Sequence, residues 1–404
     1  MKRKLDLHTG LPVWTAYRAP VVPTADLTRD IRTDVLVVGL GVSGAMICET
    51  LTAAGRQVVG IDRRGPGKGS TAATTALVSF ELDMPLSLLS GKIGKDRAER
   101  AWRRSRLALA NLKARIEELA IPCGLAERPS IYLAGNMLDG PGLEEEERRR
   151  RAAGLHASYM RRPALQAGFG IDHAGGALIS ADNLVLDPRK LTGKLLLAAA
   201  ARGAVFYAPA EATAFETARE SIQVTTANGP VITANAVILA TGYELAGIVP
   251  ASNHRIISTW AIATKRQPRS LWPQEALVWE ASDPYLYART TSDGRVICGG
   301  EDEEFTDEEK RDALIERKSR AIAAKLGRLF PRMDTAPEFA WTGSFGTTPT
   351  GMPIIGRVPR RGNIFAVMGY GGNGITFSQL ASEIIGSALS GSVDGDADLF
   401  AFAK

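Results

Sequence analysis

Asp34-Val-Leu-Val-Val38 followed by Gly39-Leu-Gly41-Val-Ser-Gly44 is the stretch on which the fold turns. The run Val35 to Val38 is short, apolar and largely β-branched, as in strands buried on both faces of a parallel sheet. An apolar helical pattern continues from Val42 to about Ala54, Gly55 stops it, and Gln57-Val-Val-Gly-Ile61 supplies a second strand closed by Asp62. This is a βαβ unit of about 30 residues, with G-x-G-x-x-G at the strand-to-helix turn and an acidic residue about 20 positions on. Gly39 permits the tight turn, Gly41 lets backbone approach a pyrophosphate, and Gly44 lets helix and strand pack closely. The helix start at Val42 and Ser43 presents free N–H groups and a positive dipole to phosphates. Asp62 can accept hydrogen bonds from ribose hydroxyls. The unit reads as a dinucleotide site.

The rest of the chain bounds what surrounds it. With 404 residues, 45% hydrophobic and 23% charged, the chain is globular, with no disordered whole. No apolar run reaches the roughly 18 residues of a membrane span, and the segment before Asp34, with Pro12, Pro20 and Pro23, reads as an irregular arm. A cytoplasmic location is the default expectation. Three separated cysteines and four scattered histidines give no metal or disulfide framework. A net charge of +5 without a focused basic arm argues against nucleic acid. Helices are expected from Lys95 to Leu119, from Asp187-Pro188 to Ala201, from about Asp307 to Leu326, and from Gly374 to about Leu389. Glu144-Glu-Glu-Glu-Arg-Arg-Arg-Arg151 places Glu four positions ahead of Arg and reads as a solvated helix face. Strand-rich blocks lie between these helices. Without repeats or linkers, the expected architecture is α/β: a Rossmann-like dinucleotide domain interleaved with a β-sheet-rich α+β substrate domain. The boundaries are an arm at 1–33, a cofactor domain at 34–95, 180–250 and 340–404, and a substrate domain at 96–179 and 251–339.

The fingerprint is shared by FAD and NAD sites. Three further turns separate the two: Gly69-Ser-Thr71, Val237-Ile-Leu-Ala-Thr-Gly242 and Gly371-Gly-Asn-Gly-Ile-Thr376. With Val13-Trp-Thr-Ala, Tyr287-Ala-Arg-Thr-Thr-Ser-Asp-Gly294, Gly299-Gly-Glu-Asp302, Thr348-Pro-Thr-Gly-Met-Pro-Ile-Ile-Gly356 and Gly369-Tyr-Gly-Gly-Asn-Gly-Ile-Thr-Phe377, in this order, the chain resembles the D-amino acid oxidase-like superfamily of flavoenzymes. Its pattern is similar to gamma-glutamylputrescine oxidase, glycine oxidase and D-amino acid dehydrogenase members. The resemblance implies FAD, held by Gly39, Gly41, Val42, Ser43, Gly44, Asp62, Arg63, Arg64, Ser70, Thr71, Ala212, Thr241 and Gly242 on the adenosine and pyrophosphate side. Gly371, Gly372, Asn373, Gly374, Ile375 and Thr376 would meet the isoalloxazine or ribityl region.

Departures from the pattern sharpen the expectation. Relatives with covalent flavin carry Cys before the Thr-Pro turn or His after the Gly-Ser-Thr segment; this chain carries neither, so FAD is expected to be noncovalent. The arginine that binds an α-carboxylate bidentately in amino acid oxidases is replaced by Ser344, Phe345, Gly346 and Thr347. Some oxidases place a Lys near the flavin on the strand that here reads Arg295-Val-Ile-Cys298, so oxidase and dehydrogenase remain open. The expected function is oxidation of a C–N bond in an amine or amino-acid-like substrate by hydride transfer to flavin N5, giving an imine that hydrolyses. Arg289, Tyr287, Tyr370 and Trp260 are the candidate catalytic and pocket residues, and no metal is expected. The alternatives are an α-amino acid enzyme using Arg289 for the carboxylate, and a flavin-binding subunit active only in a hetero-oligomer. Expected partners are the small-molecule substrate and dioxygen or another electron acceptor, with no membrane span and oligomeric state open.

Overall fold

A computed structural model describes residues 6–218 and 221–403. Among the described residues two sheets carry the molecule. In the first, Ile31–Val38 lies at the centre of a parallel set, flanked by Val58–Ile61 and then Val205–Tyr207 on one side and by Val231–Leu239 and then Ile364–Met368 on the other. Ile354–Arg357 closes one edge antiparallel, and Ala212–Thr217 with Ile222–Thr226 adds a meander to Val231–Leu239. Val35 to Val38 are buried on both faces, which is why the sequence there shows no alternation.

The second sheet is mixed and mostly antiparallel. It runs from His8–Gly10 through Pro337–Thr347, Arg255–Thr264, Val296–Glu303, Leu286–Thr290 and Leu277–Glu280, then parallel to Ala126–Leu133, and ends in Ala177–Val185 with Leu77–Val78. The chain crosses between the sheets repeatedly. Residues 180–185 and 340–347, expected beside the cofactor sheet, instead pair inside this second sheet, as does Leu77–Val78. The arm also contributes to it through His8–Gly10.

Helices Val42–Ala53, Pro188–Ala201 and Gly374–Leu389 cover one face of the parallel sheet. Asp187 starts the second of these, its Oδ1 accepting from the N–H groups of Arg189 and Lys190 at 3.0 Å, with Pro188 in the first turn. Helix Lys95–Glu118 packs against Gly374–Leu389, so its buried side, including Trp102, Leu109 and Leu112, joins the core beneath the parallel sheet. That core also takes in Ala261, Ala263, Ile297 and Trp341 from the second sheet and so binds the two sheets together. The outer face of the second sheet is covered by Ile315–Leu329. The expected helix at 307–326 is two, Glu308–Ala313 and Ile315–Leu329, meeting at Leu314. No helix among the described residues is long and apolar enough to cross a membrane.

Candidate active site

The sheets enclose a cavity of about 1060 Å³. One end is built by the βαβ turn. Gly44 packs so closely that a Cβ there would stand 1.8 Å from the Gly39 carbonyl oxygen, the close approach that brings the helix start to the cavity. The helix Val42–Ala53 starts after Gly41, which has no side chain to cap it, and Gly374–Leu389 starts after Asn373, whose side chain does not cap it. Gly41, Val42 and Ser43 from one start, and Gly374 and Ile375 from the other, border the cavity. The two helix N-termini give it N–H donors and positive potential.

Asp62 borders the same end, but its carboxylate also builds the turn: Oδ2 accepts from Leu40 N–H at 2.8 Å, and Oδ1 from Arg64 and Gly65 N–H at 2.7 and 2.8 Å. Arg63 and Arg64 border it too and are both paired with Glu244, with Arg64 Nη1 2.6 Å from Glu244 Oε2. Thr71 Oγ1 accepts from Val42 N–H at 3.0 Å. Ser70, Ala212, Thr241 and Gly242 complete this end. Ser70 Oγ is buried there without a hydrogen-bond partner.

At the other end the turn Gly371–Asn373 leads into helix Gly374–Leu389. It is tied to a segment the sequence had not singled out: Gly372 N–H donates to Asp83 Oδ2 at 2.8 Å, and Asn373 Nδ2 donates to the Glu81 carbonyl at 2.9 Å. Facing it, the second sheet contributes Trp279, Tyr287 and Trp341, with Tyr285 just before the strand Leu286–Thr290. Tyr287 turns to the cavity because Leu286 and Ala288 take the opposite face. Across the strand pair Gly299 leaves room for its ring, since a Cβ there would fall 2.4 Å from the phenol. Tyr370 also borders the cavity, in edge contact with Tyr243 at 6.2 Å between centroids. Burial pushes the phenols of Tyr243, Tyr285, Tyr287 and Tyr370 up, so they stay protonated in neutral solution.

Three expected residues, Gly44, Thr376 and Arg289, lie outside the cavity lining, and a fourth, Trp260, touches it only in part. Gly44 acts through packing, and Thr376 is buried with Oγ1 donating to the Ser79 carbonyl at 2.7 Å. Trp260 borders the cavity, yet its indole joins the core on the far face: Nε1 donates to the Arg311 carbonyl at 3.1 Å, and Lys318 Nζ sits 4.8 Å from the ring centre. Arg289 does not border the cavity. Its guanidinium donates to the carbonyls of Ala76 at 2.8 Å, and of Leu186 and Thr290 at 2.9 Å, and lies over Trp14; burial pushes it down to about 9.

Asp83 and Asp302 are two buried carboxylates in this region of the molecule. Burial raises the Asp83 carboxyl to about 6, opposed by the Gly372 N–H. Burial raises Asp302 to about 7, the Thr259 hydroxyl opposing and the Asp83 charge adding. Asp302 stood inside the quoted Gly299-Gly-Glu-Asp302 motif, whereas Asp83 carries no motif signal. Among the described residues, no His, Cys, Asp and Glu cluster is placed to hold a metal.

An anion-attracting turn, two helix N-termini, an unpartnered Ser70 hydroxyl and an aromatic-walled cavity suit a flavin dinucleotide. A family model described as FAD dependent oxidoreductase (DAO) matches residues 34–388. The chain belongs to this FAD-dependent oxidoreductase family. Across the family this chain is 26% identical over 392 residues to the gamma-glutamylputrescine oxidoreductase of Escherichia coli, covering 95% of this chain and 88% of that protein. Its fold is that of the glycine oxidase from Geobacillus kaustophilus, with a TM-score of 0.78 at 20% identity over 92% of this chain and 99% of that one. The L-proline dehydrogenase from P. horikoshii is also similar, with a TM-score of 0.77 at 17% identity over 93% and 97%. The enzyme's cofactor is FAD. Its dinucleotide would lie along Gly39 to Ser43, Asp62 and Ser70–Thr71, and its ring system toward Gly371–Ile375 beneath the aromatic wall.

Proposed function

We propose that this enzyme oxidises a C–N bond of an amine that has no carboxylate on the reacting carbon. The observation that carries the reading is the character of the aromatic end: Trp279, Tyr285, Tyr287, Tyr370 and Asp83 border it, and among the described residues the cationic side chains of the cavity wall are Arg63 and Arg64 at the nucleotide end. An α-carboxylate buried there would lack a cationic partner, at a cost of several kcal/mol. Arg289, the candidate for that task, is spent on three backbone carbonyls. The relative named for a putrescine derivative supports an amine.

FAD, held by the Gly39–Ser43 turn, Asp62, Ser70–Thr71 and Gly371–Ile375, would supply a two-electron acceptor for hydride from the carbon beside nitrogen, and the imine left on the substrate would be hydrolysed by water to a carbonyl compound and a released amine. The protein's part is to bind, orient and desolvate. An apolar wall disfavours the ammonium form of the reacting nitrogen and so frees its lone pair. Protonated tyrosines present ring faces and hydroxyl donors without adding negative charge.

Cys48, Cys123 and Cys298 are buried outside the cavity wall, and no histidine borders it among the described residues, so the reading includes noncovalent FAD. Anaerobic titration of the purified enzyme with primary and secondary amines, N-methyl amino acids and D- and L-amino acids tests the proposal. Amines should bleach the flavin and α-amino acids should not; bleaching by α-amino acids alone would overturn it. Acid precipitation should leave the flavin in the supernatant.

A further inference from the structure

Among the carboxylates bordering the cavity, Asp83 differs in its partners. Glu81 is paired with Arg150, Glu244 with Arg63 and Arg64, and Glu211 with Arg63, while Asp62 holds three backbone N–H groups. Asp83 has no Lys or Arg partner among the described residues. Its Oδ2 takes the Gly372 N–H, and its Oδ1 has only Asn373 Nδ2 at 3.4 Å. Its charge is therefore held at the aromatic end without a compensating cation. Tyr285 reaches the same spot, its hydroxyl 3.4 Å from where a Cβ on Gly372 would sit, and packs on Tyr287 at 5.3 Å. Trp279, 9% exposed and bordering the cavity, has an indole N–H with no partner. A carboxylate without a cationic partner, at the aromatic-lined end of a cavity, is a site for an organic cation.

We infer that Asp83 anchors an ammonium group of the substrate other than the nitrogen that is oxidised, which makes the substrate a diamine or longer polyamine. The inference rests on the amine reading above. An ammonium paired with a carboxylate is stabilised in its charged form, whereas the nitrogen whose carbon gives up hydride must have its lone pair free. One nitrogen cannot meet both demands, so the ligand carries two. The aromatic wall takes the neutral one and Asp83 the charged one.

The test uses the holoenzyme reduced anaerobically with dithionite, which binds amines without turning them over, and isothermal titration with the α,ω-diamines from 1,3-diaminopropane to 1,6-diaminohexane and the matching monoamines. The best diamine should bind at least tenfold more tightly than its monoamine. In Asp83→Asn, which keeps an acceptor for the Gly372 N–H, that preference should fall below twofold while the visible flavin spectrum stays as in the wild type. If Asp83→Asn does not retain flavin, Asp83→Glu, which retains the charge, should keep a preference for a diamine. Equal wild-type affinities for diamines and monoamines, or a preference that survives in Asp83→Asn, would overturn the anchor. The two ideas fail separately. Asp83-dependent diamine binding without bleaching of the oxidised enzyme by any amine sinks the oxidation reading and leaves the anchor. Bleaching by monoamines and diamines alike, with no effect of Asp83→Asn, does the reverse.

Discussion

Arg289 and Asp302 show how burial alone decides what a charged residue does. Arg289 reads in the sequence as a cation above the flavin, but its donors close on Ala76, Leu186 and Thr290 and so tie together three segments distant in sequence. Arg289→Ala should leave three buried carbonyls short of donors and cost about 3 kcal/mol of stability or more, measured by denaturant unfolding. The preference among amines and amino acids should not change; a selective loss of carboxylate-bearing ligands would return Arg289 to the site. Asp302 has the opposite problem, a carboxyl whose buried surroundings hold it up at about 7. Because its pKa is raised in the folded state, the stability linked to its proton is present below the unfolded value near pH 4 and is lost as pH rises through about 7. Asp302→Asn should therefore stabilise the protein by roughly 1–3 kcal/mol at pH 8 and change little at pH 4. A variant equally or less stable at pH 8 would contradict this.

The helix Gly140–Ala152 is the element whose sequence misleads most. Its four Glu and four Arg read as a solvated face, and Glu145–Arg149 at 2.7 Å and Glu147–Arg151 at 3.5 Å are such surface pairs. Glu146 and Arg150, one register over, are fully buried and paired at 2.8 Å. Glu146 accepts the N–H groups of Leu86 and Ser87 at 2.8 Å, capping helix Leu86–Ile93 from another element. Arg150 also pairs with Glu81 and lies 4.4 Å from the centre of Trp102. Identical local spacing produces both kinds of pair; only the side of the helix that meets the core separates them. Glu146→Ala should cost about 3–5 kcal/mol because it takes one of two carboxylates from a buried guanidinium and leaves the Leu86 and Ser87 N–H groups without their acceptor. Glu147→Ala should stay within about 0.5 kcal/mol. Comparable unfolding midpoints for the two would refute the distinction.

At the scale of the whole molecule the cavity lies where two interwoven sheets meet, so cofactor and fold support each other. Removing FAD should lower the melting temperature, and adding it back at about 100 times its dissociation constant should restore about 2.7 kcal/mol. Indifference of the melting curve to FAD would argue against the cleft as its site. The βαβ unit, its glycines, Asp62 and the last helix were legible in the sequence because each is specified by neighbours in the chain, through strand run, turn geometry and helix start. The direction of Trp260, the retirement of Arg289, the burial of Glu146 and the meeting of Asp83 with Gly372 across 289 residues were not. Those depend on which face of a sheet or helix the rest of the chain covers, and a side chain's charge state and partners follow from that covering. Local sequence thus determined that a dinucleotide is held and built the βαβ turn that borders the cavity, because backbone donors and steric clearances are local properties. Only the tertiary structure decided which side chains line the aromatic end of the cavity, because burial and electrostatics there are summed over segments brought together by folding.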